Sequence, residues 1–241
     1  MPSLYAHIFE VWASDELFRR LVAETIARMH EWKLTYKKPL VSVSGGKDSS
    51  VALHLALKVW DPEDLMVWHW DYGDWLMPRS CEDESRLIIS QILDGRDVRV
   101  LVNKRKGGEE SRWNCHDGYR QFFGNLKRTL FLYERDCSIA GMRAEESIGR
   151  AQRVKHYREY HEGTKVELLH PLADWKAVDV WTYIVSNGLP YHSTYDKKAA
   201  LFGCYTSGKV RFVTFFDHEM DYLGAPNTDG ILLWKDRYPP K

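Results

Sequence analysis

The sequence predicts an α/β domain with a mainly parallel sheet, and two observations support this fold class. Short β-branched or apolar runs alternate along the chain with longer stretches in which apolar residues recur every three or four positions. The 241 residues are also enough to bury a full core without disulfides or a structural metal. Strands that alternate with helices are typical of a parallel sheet, because each crossover between parallel strands is then a helix.

The predicted elements follow one another from the N-terminus. A helix is predicted over residues 15–34, where Phe18, Val22 and Ile26 share one face and Ser14 is the candidate N-cap. Five strands are predicted at residues 39–43, 65–70, 97–102, 138–140 and 166–169. The predicted helices after the first strand cover residues 48–60, 82–93, 118–135, a polar stretch at 151–161, and 175–186. A further strand is predicted at residues 210–215.

These elements divide the chain into three parts. Residues 1–36 are predicted to form an N-terminal helical segment, and residues 37–190 the α/β domain. Residues 191–241 are predicted to be an irregular C-terminal appendage packed on the same domain. The N-terminal residues contain no secretory signal, and the apolar runs are too short to cross a bilayer. We therefore expect a cytoplasmic protein without a membrane partner.

The charge balance argues against one class of function. Lysine plus arginine number 34 and aspartate plus glutamate also 34, so a uniformly basic surface for coating nucleic acid is not expected, although nucleic acid itself is not excluded as a partner. The charges are nevertheless segregated along the chain. Residues 61–86 hold eight acidic and two basic side chains, whereas residues 96–128 hold nine basic and four acidic ones. This division predicts a local site with Mg²⁺ on one side and an anion on the other.

The four cysteines exclude several metal sites. Cys81, Cys115, Cys137 and Cys204 form no Cys-x-x-Cys pair, so a zinc ribbon and an iron–sulfur cluster both lack their ligand spacing. Few, scattered cysteines are typical of proteins in a reducing compartment.

The segment from Ser44 to Ser50, with the sequence Ser-Gly-Gly-Lys-Asp-Ser-Ser, predicts a phosphate-binding loop. It lies between a predicted strand and a predicted helix, where two glycines let backbone N–H groups approach an anion closely. The helix start adds unpaired N–H groups and the positive end of the helix dipole. Lys47 adds a full charge, and the serines add hydroxyl donors. The loop is neither a Walker A motif nor a Gly-x-Gly-x-x-Gly dinucleotide motif.

The same loop resembles the pyrophosphate-binding loop of N-type ATP pyrophosphatases, and three later segments narrow the resemblance. These are Asp71 to Trp75, then Gly141 to Arg150 with the pattern Gly-x-Arg-x-x-Glu-Ser, and Pro171 to Tyr191. In this order they resemble the PAPS reductase/ATP sulfurylase family over residues 39–206. That family implies a five-stranded, mainly parallel sheet with helices on both faces, of the adenine nucleotide α-hydrolase type, which binds the nucleotide at the carboxyl ends of its strands.

The resemblance also implies roles for individual residues. The nucleotide would be bound by Ser44, Gly45, Gly46, Lys47, Asp48, Ser49, Ser50, Asp71 and Gly141. The residues expected to act in catalysis are Lys47, Asp48, Arg143 and Arg150. Asp48 and Asp71 are the tentative Mg²⁺ ligands. Cleavage of an α–β phosphoanhydride requires the protein to place cations near the negative charge that develops on the phosphates.

Three functions are compatible with these features. The leading one is a Mg²⁺-dependent enzyme that cleaves ATP between its α and β phosphates and adenylates an acceptor, which would be sulfate, another oxyanion or a macromolecular group. The second is reduction of PAPS or APS with an external thiol donor, for which Cys204 is the family-placed candidate thiol, because the family's C-terminal Glu-Cys-Gly motif is absent. The third is a nucleotide-binding regulatory or interaction module with little turnover. A protein partner, such as a GTPase subunit or the product of a neighbouring gene, and a homo-oligomer are both left open.

Overall fold

The computed structural model describes residues 2–73, 79–107 and 115–196. Within these ranges the chain folds into seven α-helices, a short 3₁₀ helix at Ala144–Glu146 and six strands. The helices are α1 (Pro2–Ala13), α2 (Glu16–Thr35), α3 (Lys47–Val59), α4 (Arg79–Leu93), α5 (Cys115–Leu132), α6 (Ile148–Arg153) and α7 (Ala177–Ser186). The strands are β1 (Pro39–Ser42), β2 (Met66–Asp71), β3 (Arg99–Lys104), β4 (Cys137–Ala140), β5 (Arg158–His161) and β6 (Val166–Leu169).

The strands form a single sheet in the order β3-β2-β1-β4-β6-β5. All neighbouring pairs are parallel except β5 and β6, which are antiparallel. The predicted fold class is therefore confirmed, with one strand more than expected at the edge of the sheet. The first crossovers run outward in one direction to β2 and β3, and the chain then returns to place β4 on the other side of β1. This reversal opens a crevice at the carboxyl ends of β1 and β4.

Helices cover both faces of the sheet because each central strand is apolar on both sides. On one face, Val41, Val67 and Ile139 pack with the buried side chains of α3, α4 and α7. On the other face, Leu40, Met66 and Trp68 pack with Leu126 and Leu130 of α5. Side chains alternate between faces along a strand, so adjacent residues such as Leu40 and Val41 belong to opposite layers.

The prediction of a helix over residues 151–161 is wrong. Helix α6 ends at Arg153, and residues 158–161 instead form the edge strand β5, which pairs with β6 in an antiparallel hairpin. Tyr157, with φ of 60°, lies in the left-handed region just before the strand. Exposed and half-buried residues alternate along β5, as expected of an edge strand, and this period-two pattern is hidden by its polar composition.

Smaller differences concern where helices begin. Helix α2 is capped by Asp15 and not by the predicted Ser14, because the Asp15 carboxylate accepts hydrogen bonds from the backbone N–H groups of Leu17 and Phe18. The Ser14 hydroxyl donates to the carbonyl of Val11 at the end of α1.

Within the residues that the structure describes, no helix combines the length and apolarity that a membrane crossing requires.

Residues 191–196 pack on α4 and α7 of the α/β domain. Ser193 donates from its backbone N–H and its hydroxyl to the two carboxylate oxygens of Glu84 on α4. Tyr195 is 2% exposed and packs edge-to-face on Trp181 of α7. The rest of the appendage, including the strand predicted at 210–215, lies outside the described residues.

Candidate functional site

The glycine-rich loop follows β1 and leads directly into α3, as the sequence predicts. Gly45 has φ of 79°, a left-handed conformation that suits glycine. A Cβ atom on Gly45 would lie 2.6 Å from the Cβ of Ser85, so α4 packs directly against this loop. Glycine is therefore required at this position by both the backbone conformation and the close approach of α4.

The N-terminus of α3 is open to a ligand. Its N-cap is Gly46, which has no side chain to pair with the first N–H groups of the helix. The backbone N–H of Lys47 donates to the hydroxyl of Tyr195 at 3.3 Å, whereas those of Asp48 and Ser49 have no hydrogen-bond partner within the described parts of the chain. Unpaired N–H groups at the positive end of a helix dipole are suited to bind an anion.

Hydroxyl groups fix the shape of the loop. The hydroxyl oxygens of Ser44 and Ser49 lie 3.1 Å apart, and the Ser49 oxygen also accepts from the backbone N–H of Ser44 at the same distance. The Ser44 oxygen accepts from the N–H of Gly46 at 3.3 Å. Ser50, also predicted to bind the nucleotide, is fully buried in α3, and its role stays a prediction.

Two buried cations share one carboxylate beside the loop. The ammonium of Lys47 donates to Oδ2 of Asp48 at 2.6 Å, and Nε of Arg143 donates to Oδ1 of Asp48 at 2.6 Å. The side chains of Lys47 and Arg143 are each 1% exposed. Burial alone would raise the pKa of Asp48, but the charges of Lys47 and Arg143 outweigh it and hold that pKa below its usual value. The structure thus brings together residues that are 95 positions apart in sequence.

Arg143 is positioned by the turn that follows β4. Gly141 lies so close to the start of α3 that a Cβ atom on it would be 2.6 Å from the carbonyl carbon and oxygen of Asp48. Two residues later, Nη1 of Arg143 donates to Oε2 of Glu145 at 2.6 Å, and its backbone N–H donates to Glu146 at 3.1 Å. Arg150, at the start of α6, pairs with the carboxylate of Glu146. Both predicted arginines therefore lie at the carboxyl end of β4, beside the loop.

The acidic residue at the end of β2 is enclosed by two arginines that the sequence analysis did not single out. Nη1 and Nη2 of Arg79 donate to the two oxygens of Asp71 at 2.9 and 2.8 Å, and Nη2 of Arg86 donates to Asp71 at 3.0 Å. The backbone N–H of Gly73 adds a fourth hydrogen bond at 2.8 Å. Burial would raise the pKa of Asp71, but these donors hold it below its usual value.

A second buried carboxylate links this cluster to the loop. Oε1 of Glu82 accepts from Nε of Arg86 at 2.7 Å and lies 2.9 Å from Nε2 of His69. Nδ1 of His69 lies 2.7 Å from the carbonyl oxygen of Val43, the residue before the loop. Arg79, Glu82 and Arg86 are spaced to share one helix face, a signal that was missed because the predicted helix began only at residue 82.

The tentative Mg²⁺ ligands do not fit a metal held by the protein alone. The carboxylate of Asp48 is engaged by Lys47 and Arg143, and that of Asp71 by two arginines and a backbone N–H. Within residues 2–73, 79–107 and 115–196, no three carboxylate, histidine or cysteine side chains are grouped as a metal site. The Mg²⁺ role of these two aspartates stays a prediction. The candidate thiol Cys204 lies outside the described residues.

Comparison with known proteins places this geometry in a family. The profile of the phosphoadenosine phosphosulfate reductase domain matches residues 38–209, which include the loop, the Asp71 cluster and both arginines beside β4. The chain belongs to this family. The resemblance drawn from the four sequence motifs is therefore confirmed.

Several relatives of the chain are named as subunits of an adenylyltransferase. The chain is 27% identical to sulfate adenylyltransferase subunit 2 of Sulfurovum sp. over 75% of its own length and 67% of that protein. It is 30% identical to the protein of the same name from Rhizobium meliloti, over 71% of its own length and 65% of the relative. The chain thus spans about two thirds of the length of these curated relatives.

A solved structure supports the fold of this reductase-domain chain. PAPS reductase from Candida auris, in a phosphate complex, superimposes with a TM-score of 0.55 over 76% of this chain and 92% of that one. At 17% sequence identity this likeness concerns the fold alone.

Proposed function

We propose that this chain binds ATP at the loop between β1 and α3, cleaves the bond between the α and β phosphates, and adenylates an acceptor. The observation that carries the proposal is the pair of buried cations, Lys47 and Arg143, which share the carboxylate of Asp48 beside a helix N-terminus with open N–H groups. Relatives named sulfate adenylyltransferase subunit 2 support the same reaction type.

Binding would begin with the polyphosphate at the loop. The open N–H groups of Asp48 and Ser49 would donate to phosphate oxygens, and the ammonium of Lys47 would turn from the Asp48 carboxylate toward them. Arg143 is ordered before the nucleotide arrives, because Asp48 and Glu145 each hold it at 2.6 Å. Preordered charges stabilise a transition state without having to reorganise during the reaction.

The chemical step would then be an in-line displacement. An acceptor oxygen forms a bond to the α phosphorus while the bond to the bridging oxygen breaks, and pyrophosphate leaves with that electron pair. Arg143 and Arg150, at the end of β4, would stabilise negative charge on the α phosphate. Mg²⁺ that arrives with ATP would neutralise polyphosphate charge, and no protein step proposed here depends on it.

The acceptor and the partner are proposals drawn from the relatives. Their name indicates sulfate as acceptor, and the designation subunit 2 indicates a companion subunit, for which a GTPase is the candidate. On the basis of that designation, a companion protein would complete the acceptor site of this chain or activate it.

The test follows the products of two nucleotides. Purified protein is incubated with Mg²⁺ and either ATP plus sulfate or PAPS plus a thiol donor, while pyrophosphate, AMP and sulfite are measured. Release of pyrophosphate from ATP that disappears in Lys47→Met supports the proposal. Release of sulfite from PAPS that depends on Cys204 would favour the reductase alternative and would contradict adenylylation as the main activity.

A further inference from the structure

We propose that a groove at the amino edge of the sheet binds an acidic segment of a partner protein, with an apolar side chain of that segment seated against Phe131. The groove has a volume of about 890 Å³ and lies between the C-terminal half of α5 and the turn into β6. Helix α5 leads into β4, and β4 and β6 are parallel, so both strands begin at this edge. The phosphate loop follows the carboxyl end of β1, at the opposite edge, so a partner in the groove leaves the nucleotide site open. The inference does not depend on the proposed function.

The lining of the groove is strongly positive. It carries four cations and one carboxylate, which are Lys127, Arg128, Arg135, Lys165 and Glu134. As far as the structure describes the chain, neither the ammonium of Lys127 nor the guanidinium of Arg128 takes part in an ion pair or a hydrogen bond. A carboxylate-rich segment would bring opposite charge to both of these exposed cations.

Arg135 adds a guanidinium group that is held by neutral partners. Its Nε donates to the carbonyl of Tyr133 at 2.9 Å, and its Nη1 donates to the carbonyl of Asp64 at 2.8 Å. Burial and the charge of Arg99 lower the pKa of Arg135, and the carboxylates of Asp136 and Asp64 oppose this effect without outweighing it. The guanidinium is therefore fixed in place with its charge incompletely balanced, which favours the approach of a further carboxylate.

Apolar side chains are exposed beside these cations. Phe131 is 81% exposed and Leu132 is 58% exposed at the end of α5. Phe131 lies four residues after Lys127 and three after Arg128, so its ring and the two cations are neighbours on the helix surface. Exposed apolar residues that are rimmed by charged ones are typical of interaction sites. A partner segment that combines carboxylates with an aromatic or aliphatic side chain complements both features.

Gly124 is an independent sign of a close approach at this groove. It lies inside α5, three residues before Lys127, and it also lines the groove. Its φ is not in the left-handed region, and none of the described residues would lie within 4 Å of a Cβ atom on it. Packing and backbone conformation therefore do not require glycine here, although glycine destabilises a helix interior relative to alanine. A glycine at this position lets a partner approach the helix backbone closely.

A protein segment fits the groove better than a nucleic acid does. The carboxylate of Glu134 would repel a phosphate backbone, whereas a polypeptide can donate hydrogen bonds to it. Leu132 is aliphatic and offers no ring on which a base could stack. Charge complementarity and the exposed apolar residues together therefore favour an acidic peptide.

Fluorescence anisotropy with four labelled probes tests the proposal on the full-length chain. The first probe is a short peptide of aspartate and glutamate around a central Phe-Leu pair. The second has serines in place of that pair, the third has lysines in place of the acids, and the fourth is a single-stranded DNA oligonucleotide with the net charge of the first. The variants are Lys127→Gln, Arg128→Gln and Gly124→Ala. The controls are Arg20→Gln, at an exposed arginine on α2, and Gly149→Ala in α6, where a Cβ atom would also have no atom within 4 Å.

We expect the first peptide to bind, and its affinity to fall about fivefold or more in Lys127→Gln and in Arg128→Gln. Gly124→Ala should weaken binding by a similar factor while it raises Tm, so that the loss of binding is not a loss of folding. Both controls should bind the first peptide as the unmodified protein does, and the serine and lysine peptides should bind less tightly than the first.

Three results would overturn the proposal. The first is that the acidic peptide does not bind, or that it binds equally to the groove variants and the unmodified protein. The second is tighter binding of the oligonucleotide than of the acidic peptide, which would assign the groove to nucleic acid. The third is a change in the oligomeric state of the groove variants, measured by light scattering, which would make a second copy of this chain the occupant.

Discussion

Replacing Gly141 by alanine probes the contact that joins β4 to the start of α3. A Cβ atom at this position would be 2.6 Å from the carbonyl carbon and oxygen of Asp48 and 2.8 Å from the nitrogen of Ser49. All three are helix backbone atoms, so no side-chain rotation relieves the contact. Ordinary contact distances begin near 3.4 Å. The start of α3 must therefore move away from β4 by roughly 0.8 Å.

We expect Gly141→Ala to lower both the stability of the fold and the binding and turnover of ATP. Overpacking of this kind destabilises a fold by about 1–3 kcal/mol, and for a chain of this size that lowers Tm by about 2–12 °C. The same displacement moves Asp48 and Ser49 away from the position that Arg143 and the loop require. Because misplacement of about 1 Å in a site can reduce a rate about 100-fold, we expect ATP affinity and turnover to fall at least tenfold.

Thermal unfolding measures the effect on stability, and equilibrium binding of ATP and pyrophosphate measures the effect on the site. Gly149→Ala is the matched control, because Gly149 lies in α6, eight residues from Gly141, and no atom would lie within 4 Å of its Cβ. Alanine in that helix should leave binding unchanged and stabilise the fold by about 0.5–1 kcal/mol. The reasoning is refuted if Gly141→Ala matches the unmodified protein in both Tm and nucleotide affinity.

Three further predictions test other parts of the site and fold. Lys47→Met should weaken pyrophosphate binding about tenfold or more, whereas Lys58→Met on the exposed side of the same helix should not; equal effects in a titration would contradict the role of Lys47. Asp71→Asn should destabilise the fold by about 1–2 kcal/mol, because the arginines that it leaves unpaired are 39% and 45% exposed. The Mg²⁺ concentration that gives half-maximal activity should not change; a large rise in that concentration would identify Asp71 as a metal ligand instead. Burial lowers the pKa of His170 to about 4, so the unfolded chain binds its proton first as the pH falls below 6.5. The contribution of His170 to stability should therefore fall by about 1.4 kcal/mol per pH unit from pH 6.5 to about pH 4, in addition to that of His54, whose pKa burial also lowers to about 4. Denaturant titrations of His170→Leu should show a shallower pH dependence; an unchanged slope would contradict this.

The fold class was predictable from the sequence because the central strands are short apolar runs separated by amphipathic helices. Such strands are buried on both faces, and their composition alone identifies them. Strand β5 was missed for the opposite reason. It lies at the edge of the sheet with polar residues such as Arg158 and Glu159, and its identity depends on pairing with β6. Pairing of this kind is a tertiary contact, and the periodicity of the local sequence does not reveal it.

The loop of the candidate site was predictable because its chemistry is local. Two glycines, a lysine and the start of a helix follow one another in the chain, and the structure keeps them together. Assigning Arg143 and Asp48 to one site required the family motif, because the two residues are 95 positions apart. The salt bridge between them was not predicted. The enclosure of Asp71 by Arg79 and Arg86 was not predictable from Asp71 itself, since an exposed strand end and a buried ion cluster share the same local sequence.

The segregation of charge along the sequence is altered by the fold. The acidic segment 61–86 contains the two basic residues that enclose its own carboxylate, so its contribution at the carboxyl edge of the sheet is a pair of guanidinium groups. In the described residues, each of these arginines is paired with a buried carboxylate of the same segment. The expected division between a Mg²⁺ side and an anion side stays a prediction.

The position at which ATP is cleaved tests the central proposal most directly. ATP labelled with ¹⁸O in the α–β bridge is incubated with the protein and Mg²⁺, and the label is followed by ³¹P NMR. Sulfate is supplied as the acceptor, because the bridge bond breaks only as the acceptor oxygen attacks the α phosphorus. Reversal of this step on the protein moves the label to non-bridging β positions. The account predicts this exchange in the unmodified protein and its loss in Lys47→Met. Bound ATP whose label stays in the bridge would contradict it.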